Sequence, residues 1–385
     1  MSWQKIEGHD RIAEMFSRAF TRGRLEGSFL FTGPEGIGKR SFAFQLAKVI
    51  LCQSPRQFTS CNQCESCRLF DLHYVPVKEE IIRSERQALA QQRRAAKKEK
   101  TTEKEPDPLH FEIPNHPDFY YISKPADRTQ IPLELLIGPK EDRGQSGLCY
   151  NLSRSPYIGK RKVAVIDDAD YLNEEGANAL LKTLEEPPRG ALMILIGTSA
   201  AKQLPTIRSR CQSVRFTKLA TRDLAAVLVN SGIAADYDEG LRLAKLSDGS
   251  CKTAMEFKDD SFQQFRIDLY QELAKPRPDF VQFSKRFNDF VDEKGKDAQI
   301  RRRRLALGLI RAARFYRNLA SLLSGDSSVL TGNYDSGPQL QQAAKNRPDL
   351  QQAAKNAERT LEALEQIDRM GNIPYIIEAW ISDLR

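Results

Sequence analysis

Three groups of residues in this chain have the types and spacing of working chemistry. The first is Gly33-Pro34-Glu35-Gly36-Ile37-Gly38-Lys39-Arg40-Ser41. It follows the apolar run Phe29-Leu30-Phe31 and precedes apolar residues at helical spacing over 42–51. Strand, glycine-rich turn and helix is the setting of a phosphate-binding loop, because glycines let backbone N–H groups face a phosphate at a helix N-terminus. Gly33, Gly36 and Gly38 would shape the turn, and Lys39 would reach the outer phosphates of ATP. The next position ordinarily carries Ser or Thr, whose hydroxyl ligates Mg²⁺. Here it is Arg40, and the Ser41 hydroxyl is rotated about 100° off that face. The loop reads as a nucleotide site that lacks its metal ligand.

The second group is Cys52, Cys61, Cys64 and Cys67. Two consecutive C-x-x-C steps fold the chain back so that thiolates meet at one centre. With Cys52 they supply the four sulfurs of a closed, tetrahedral structural Zn²⁺ site. Four thiolates also suit an iron–sulfur cluster, and His73 is a weaker spare ligand. Seven cysteines in a chain of this size point to metal rather than to a disulfide framework.

The third group ends the apolar run Val163-Ala164-Val165-Ile166 with Asp167-Asp168-Ala169-Asp170. A buried parallel strand delivers such carboxylates to its C-terminal edge, where ligands bind in α/β sheets. Asp167 would hold Mg²⁺ through water, and Asp168 would orient the attacking water. That second acid is usually Glu, one methylene longer, and catalytic geometry tolerates little misplacement. A further strand over 192–196 ends at Gly197-Thr198-Ser199, which would bring the Thr198 or Ser199 hydroxyl beside the phosphate loop as a sensor of the terminal phosphate.

The elements that must position these groups alternate as an α/β fold requires. A helix is expected over 10–20 with Asp10 as N-cap, a strand over 119–122, a loop over 138–150, a helix over 173–184 stopped by Pro187-Pro188, and a strand over 213–216. Residues 77–108 are rich in Lys, Arg, Glu, Gln and Ala with few apolar residues, and read as an exposed charged helix or a disordered insertion. Beyond 218 the patterns are helical throughout. Arg301-Arg302-Arg303-Arg304 opens an amphipathic helix with Leu305, Leu309, Ile310 and Ala313. Four arginines in a row circle the helix, so a solvated helix end is the expectation. Leu-Gln-Gln-Ala-Ala-Lys-Asn occurs at 340–346 and again at 350–356. One duplication is too short for a solenoid, and it reads as an insertion in a helix connection.

The length of 385 residues suggests two or three domains. A net charge of +8 favours a polyanionic partner such as DNA. No apolar run is long enough for a membrane span, and no signal-peptide pattern is present, so a cytoplasmic location is expected.

Taken together, the 33–39 loop, the cysteine module behind its helix, Asn115-His116-Pro117-Asp118, the 163–170 run, Asn178-Ala179-Leu180-Leu181-Lys182-Thr183-Leu184-Glu185-Glu186-Pro187-Pro188 and Ser209-Arg210-Cys211 resemble the AAA+ clamp-loader family of bacterial DNA polymerase III. The likeness is strongest to its delta-prime branch and covers about residues 1–257. It implies an AAA+ P-loop parallel-sheet domain over 1–217 with a zinc module inserted at 52–67. A helical lid over 218–258 and an all-α collar over 259–385, which holds the subunits in a ring, would follow. It implies that Arg210 is an arginine finger reaching the ATP site of a neighbouring subunit, and that Lys252 stands where a second sensor is usually Arg. The implied partners are gamma/tau and delta subunits, the sliding clamp and primer-template DNA. Motor members of the family carry Lys-Thr or Lys-Ser in the loop and Asp-Glu after the strand. Lys39-Arg40 and Asp167-Asp168 depart from both and point to a ring member that does not hydrolyse ATP itself. The competing class is an active ATPase, either a gamma/tau-type motor or another DNA-dependent enzyme.

Overall fold

The computed structural model describes residues 6–71, 116–125, 128–295, 298–332, 336–369 and 371–384. His73 and the charged stretch 77–108 lie outside these residues. The chain divides into two units, Met1–Ala244 with Asp248–Lys252, and Lys245–Ser247 with Thr253–Arg385.

The first unit is built on α1 (Asp10–Thr21), β1 (Gly27–Thr32), α2 (Lys39–Leu51), α3 (Glu65–Asp71), β2 (Phe119–Ile122), α4 (Leu133–Ile137), α5 (Gly147–Ser153), β3 (Lys162–Ile166), α6 (Glu174–Glu185), β4 (Ala191–Gly197), α7 (Pro205–Arg208), β5 (Gln212–Arg215) and α8 (Thr221–Asn230). The five strands are ordered β2-β3-β4-β1-β5 and pair in parallel, with Thr32 opposite Gly197 and Ile122 opposite Ile166. This is the AAA+ P-loop sheet that the motifs imply.

Strand periodicity explains why the sheet is apolar on both faces. Phe29, Phe31, Val163, Val165, Leu192, Ile194 and Ile196 point to one side and pack against α1 and α2 through Phe16, Phe42 and Leu46. Leu30, Ala164, Ile166, Met193 and Leu195 point to the other and meet Ala177, Leu180 and Leu184 of α6. Alternate residues along β1, β2, β3 and β4 thus serve opposite cores, which is why these strands read as continuous apolar runs, whereas the edge strand β5 buries only Val214.

In the first unit, local details differ from the sequence reading at three places. His9, not Asp10, is the N-cap of α1, and it makes no side-chain cap bond. Its ring is committed to the Ile37 carbonyl at 2.7 Å, which leaves Asp10 in the first turn, where its charge still suits the helix dipole. The expected loop over 138–150 contains a short 3₁₀ turn, Lys140–Asp142, and the start of α5. The helix after β3 begins at Glu174 because Asn173 caps it, its side chain accepting from the Gly176 N–H at 2.7 Å.

Two helices follow in the chain, α9 (Tyr237–Leu246) and α10 (Cys251–Lys258). The described elements of the second unit beyond them are α11 (Asp260–Ala274), α12 (Phe280–Asp292), α13 (Ala298–Leu323), α14 (Ser328–Gly332), α15 (Gly337–Asn346), α16 (Leu350–Asp368) and α17 (Ile373–Asp383). Its core is aromatic. Phe265 stacks on Phe290 at 3.8 Å between centroids, and Trp380 packs on Phe283 and Phe287 while donating to the Thr360 hydroxyl at 2.9 Å.

The arginine run at 301–304 is not a solvated helix end. Arg301 pairs with Asp292 at 2.6 Å and Arg303 with Glu256 at 3.2 Å. Arg304 is buried over the Phe290 ring, donates to the Phe290 carbonyl at 2.6 Å and pairs with Glu293 at 2.5 Å. Carboxylates of α10 and of the end of α12 thus pair with three of the four arginines and bury Arg304, while Arg303 stays exposed. The duplicated heptapeptide is likewise not a connection. Its first copy lies within α15 and its second opens α16. The copies are not equivalent, because Leu340 is fully buried and Leu350 is 43% exposed.

Candidate functional site

The phosphate loop leaves β1 at Gly33 and enters α2 at Lys39. Gly36 has φ +72, and a Cβ there would lie 2.5 Å from both the Lys252 Cβ and the Ser250 Oγ. Gly38 has φ +96 and serves as the left-handed N-cap of α2. Only glycine takes such angles without strain. Gly33 lets the Phe216 carbonyl approach to within contact of where a side chain would begin.

Lys39 is 7% exposed and folds back over its own loop, donating to the Gly33 carbonyl at 2.5 Å and the Pro34 carbonyl at 2.6 Å. Burial lowers its pKa, against the pull of Asp167, Glu35 and Asp170. The loop is braced from two sides. His9 Nε2 donates to the Ile37 carbonyl, its ring edge-on to Phe216 at 4.9 Å. From the other side, Cys251 N–H donates to the Gly36 carbonyl at 2.8 Å, Ser250 Oγ donates to the Glu35 carbonyl at 2.9 Å, and Lys252 forms an ion pair with the Glu35 carboxylate.

Arg40, at the position expected to ligate the metal, forms an ion pair with Asp167, the acid expected to hold that metal. Asp167 Oδ2 accepts from Arg40 Nε and from the Tyr121 hydroxyl at 3.1 Å, and Oδ1 accepts from the Asp168 N–H at 2.9 Å. The Arg40 guanidinium also lies 5.9 Å from the Tyr121 ring centre. The buried carboxylate is therefore satisfied without a metal ion. Asp168 adopts a left-handed conformation, φ +56, and turns the chain into a 3₁₀ element, Ala169–Tyr171.

Thr198 lies one residue past the Thr32–Gly197 pair, level with the start of the phosphate loop. Both its N–H, at 2.8 Å, and its hydroxyl, at 2.6 Å, donate to Asp170 Oδ2, and Gln203 donates to Oδ1. Arg210 follows α7 and forms an ion pair with Glu185 at the end of α6, through Nε at 2.6 Å and through Nη2.

Sequence reasoning passed over Tyr121, Gln203, Glu35 and His9. Tyr121 could have been found from strand register, since it sits opposite Val165, two residues before Asp167. Gln203 and His9 are placed by tertiary contacts with no local signature.

Behind α2 lies the cysteine module. The four cysteine sulfurs lie within 4.8 Å of one another, with Cys52–Cys64 at 4.0 Å and Cys61–Cys67 at 3.9 Å. A tetrahedral ion with metal–sulfur bonds of about 2.3 Å requires sulfur–sulfur edges of roughly 3.8 Å, so the donors fit Zn²⁺. Backbone N–H groups of Cys61, Cys64 and Cys67 point at the preceding sulfurs at 3.3–3.4 Å and favour thiolates. The Cys61 thiol is brought down to about 6 by the N–H groups of Gln63 and Cys64, whereas burial pushes Cys52 and Cys67 up. A bound cation would hold all four as thiolates. His116 ties the module to the sheet. Its Nε2 donates to Ser66 Oγ at 2.8 Å, and Ser66 donates to the Leu51 carbonyl at 2.7 Å. Its Nδ1 accepts from the Asp118 N–H at 3.1 Å. The fully buried Asp118 carboxylate in turn accepts from the N–H groups of Tyr157 and Ile158 at 2.7 and 2.9 Å. The His-Pro-Asp motif is thus a structural clasp.

These features coincide with one family. The chain belongs to the family described as DNA polymerase III, delta subunit, which matches residues 8–220. It is 27% identical to the DNA polymerase III subunit delta' of Pseudomonas aeruginosa over 51% of this chain and 45% of that protein. It is 24% identical to the delta' of Bacillus subtilis over 71% of this chain and 68% of that protein. It is 26% identical to the subunit tau/gamma of Haemophilus influenzae over 66% of this chain and 30% of that protein. The match thus spans less than half the length of the Haemophilus and Pseudomonas relatives. Among the described residues no helix is long and apolar enough to cross a membrane.

Proposed function

We propose that this chain is a delta-prime-type clamp-loader subunit, a ring member that helps load the sliding clamp onto primer-template DNA without hydrolysing ATP itself. The Arg40–Asp167 pair carries this reading. Phosphoryl transfer needs Mg²⁺ between a loop hydroxyl and the strand acid, and a residue to orient the attacking water. Here a tethered guanidinium satisfies the acid, and Asp168 replaces the longer Glu. Lys39 and Thr198 have internal partners as well. Gly33, Gly36, Gly38, Lys39, Asp167, Asp168 and Thr198 then form the frame of a degenerate ATP site.

In this role the chain's catalytic contribution is Arg210, placed in trans at the ATP site of a gamma/tau-type neighbour, with the delta subunit as a further ring partner. A planar, permanently charged donor suits the charge that spreads over the transferring phosphoryl group. The cysteine module would hold one structural Zn²⁺ through Cys52, Cys61, Cys64 and Cys67. The domain plan proposed is an AAA+ domain to residue 217, a lid over 218–258 and a collar over 259–385, in a cytoplasmic complex.

Similarity to tau/gamma subunits favours a second reading, an active motor subunit. One experiment separates the two, namely ATP hydrolysis by the isolated full chain with Mg²⁺ and primed DNA. Turnover at the background level, together with co-assembly with gamma/tau and delta subunits, is the expected result. Steady turnover abolished by Lys39→Ala would select the motor reading.

A further inference from the structure

The Arg210 guanidinium has two edges capable of bidentate contact, and Glu185 occupies one of them. Nε and Nη2 both donate to Glu185 Oε1, the side-on arrangement. Nη1 donates to the Thr206 carbonyl at 3.2 Å and to Ser209 Oγ at 3.3 Å, both long bonds within its own turn. The end-on edge, between Nη1 and Nη2, is the one left with weak partners. A guanidinium held side-on by a carboxylate can still offer its end-on edge to phosphoryl oxygens.

Both residues of the pair sit at the ends of helices. Glu185 is the last residue of α6, and the chain beyond it runs into Pro187-Pro188, which cannot continue the helix. Arg210 follows α7, which opens with Pro205, and stands two residues before the start of β5. A long side chain without a holding partner must give up its rotamer freedom when it reaches a neighbouring site, whereas one already aligned gives up less. The pair is also accessible, with Arg210 28% and Glu185 50% exposed, so solvent screening keeps it weak as a stabilising contact.

We infer that Glu185 is a positioning residue for the finger, holding Arg210 side-on so that its end-on edge is pre-aligned for the ATP of the adjacent subunit. The inference rests on the reading of Arg210 as a trans-acting finger. It adds a residue with no nucleotide contact of its own, acting through the orientation of another.

The test is a ring reconstituted from the full chain with its gamma/tau and delta partners, measured for DNA-stimulated ATP hydrolysis at saturating and limiting ATP. Arg210→Ala, Glu185→Ala, Glu185→Gln and the Arg210→Ala/Glu185→Ala double variant are compared, with thermal unfolding and assembly checked for each. Glu185→Ala is expected to lower kcat at the affected site about tenfold with KM for ATP unchanged, since misorientation reduces the transition-state contact alone. Glu185→Gln retains an acceptor oxygen and should stay within about threefold of wild type. The double variant should match Arg210→Ala. Wild-type or faster hydrolysis by Glu185→Ala, beside a slowed Arg210→Ala, overturns the positioning role and leaves the finger standing. So does a double variant much slower than Arg210→Ala. An Arg210→Ala ring that assembles and hydrolyses normally overturns the finger reading, and this inference with it.

Discussion

Arg40 and Asp167, 127 positions apart in sequence, form one ion pair at the mouth of the phosphate loop. The carboxylate side chain is 8% exposed and the guanidinium 32%. A fixed cation therefore faces the acid that a nucleotide hydrolase would offer to a diffusible one. Arg40→Thr restores the usual hydroxyl but strips the buried acid of its partner, and it leaves Asp168 one methylene short. Its expected outcome is a destabilised chain, by about 1–2 kcal/mol after allowing for the exposure of Arg40, that still hydrolyses ATP at background. Denaturant unfolding and steady-state turnover of the variant check both halves.

Removing the thiolates should remove the metal. Purified chain is expected to contain one Zn²⁺, Cys64→Ser to lose it, and a chelator to lower the unfolding temperature of the wild type but not of the variant. Elemental analysis decides between zinc and iron. Iron in place of zinc, or undiminished zinc in Cys64→Ser, overturns the assignment.

The bracing of the loop predicts that Gly36 accepts no side chain. Alanine there would need φ +72 and would press on Lys252 and Ser250. A loss of about 2–3 kcal/mol is expected for Gly36→Ala, measured by chemical denaturation. Gly232, also at positive φ but with nothing within 4 Å of where its Cβ would lie, should lose less on the same change.

His9 gives the fold a pH dependence. Burial lowers its pKa below the ordinary value of 6.5, against the raising effects of its bond to Ile37 and of Asp10 and Asp223, while Lys39 adds to the lowering. Below that value the unfolded chain binds the proton more readily than the folded one, so acid favours unfolding. The contribution is fully present above about pH 6.5 and is lost as pH falls toward the lower folded pKa. Unfolding free energies from pH 7.5 to 5 should fall more steeply for wild type than for His9→Gln. Parallel curves would show that His9 is not buried as a neutral ring.

Arg210→Ala is expected to leave folding, zinc content and ring assembly intact while slowing hydrolysis at one neighbouring site by on the order of 10³-fold or more. Total ATPase then falls only in part, and Arg210→Lys does not restore it, for lack of the planar fork. Reconstituted rings, assayed for ATPase and clamp loading together, provide the measurement.

The sheet was legible in the sequence because its strands are apolar runs that end at chemically distinctive residues: Phe29 to Phe31 before the glycine loop, Val163 to Ile166 before two acids. The cysteine centre was legible because its ligands lie within one short segment. What stayed hidden depended on residues distant in sequence. Nothing local to Arg40 says that it will find Asp167, and nothing local to Thr198 says that Asp170 will claim its hydroxyl. The 301–304 run follows the same rule, because its acid partners, Glu256, Asp292 and Glu293, lie outside its own helix. The duplicated heptapeptide misled in the opposite way, since identical strings occupy unequal surroundings and only one buries its leucine.

The helix Lys39–Leu51 begins at the glycine loop and hands its chain directly to Cys52, so one rod of 13 residues has that loop at one tip and the sulfur knot at the other. At 1.5 Å per residue the rod is about 20 Å long, and its flank is sealed in the core by Phe42, Leu46 and Val49. Cobalt bound to the four sulfurs would give the centre a visible absorption that depends on its geometry. That colour would turn the sulfur knot into an optical gauge, reporting from the far end of the helix any displacement imposed on the loop.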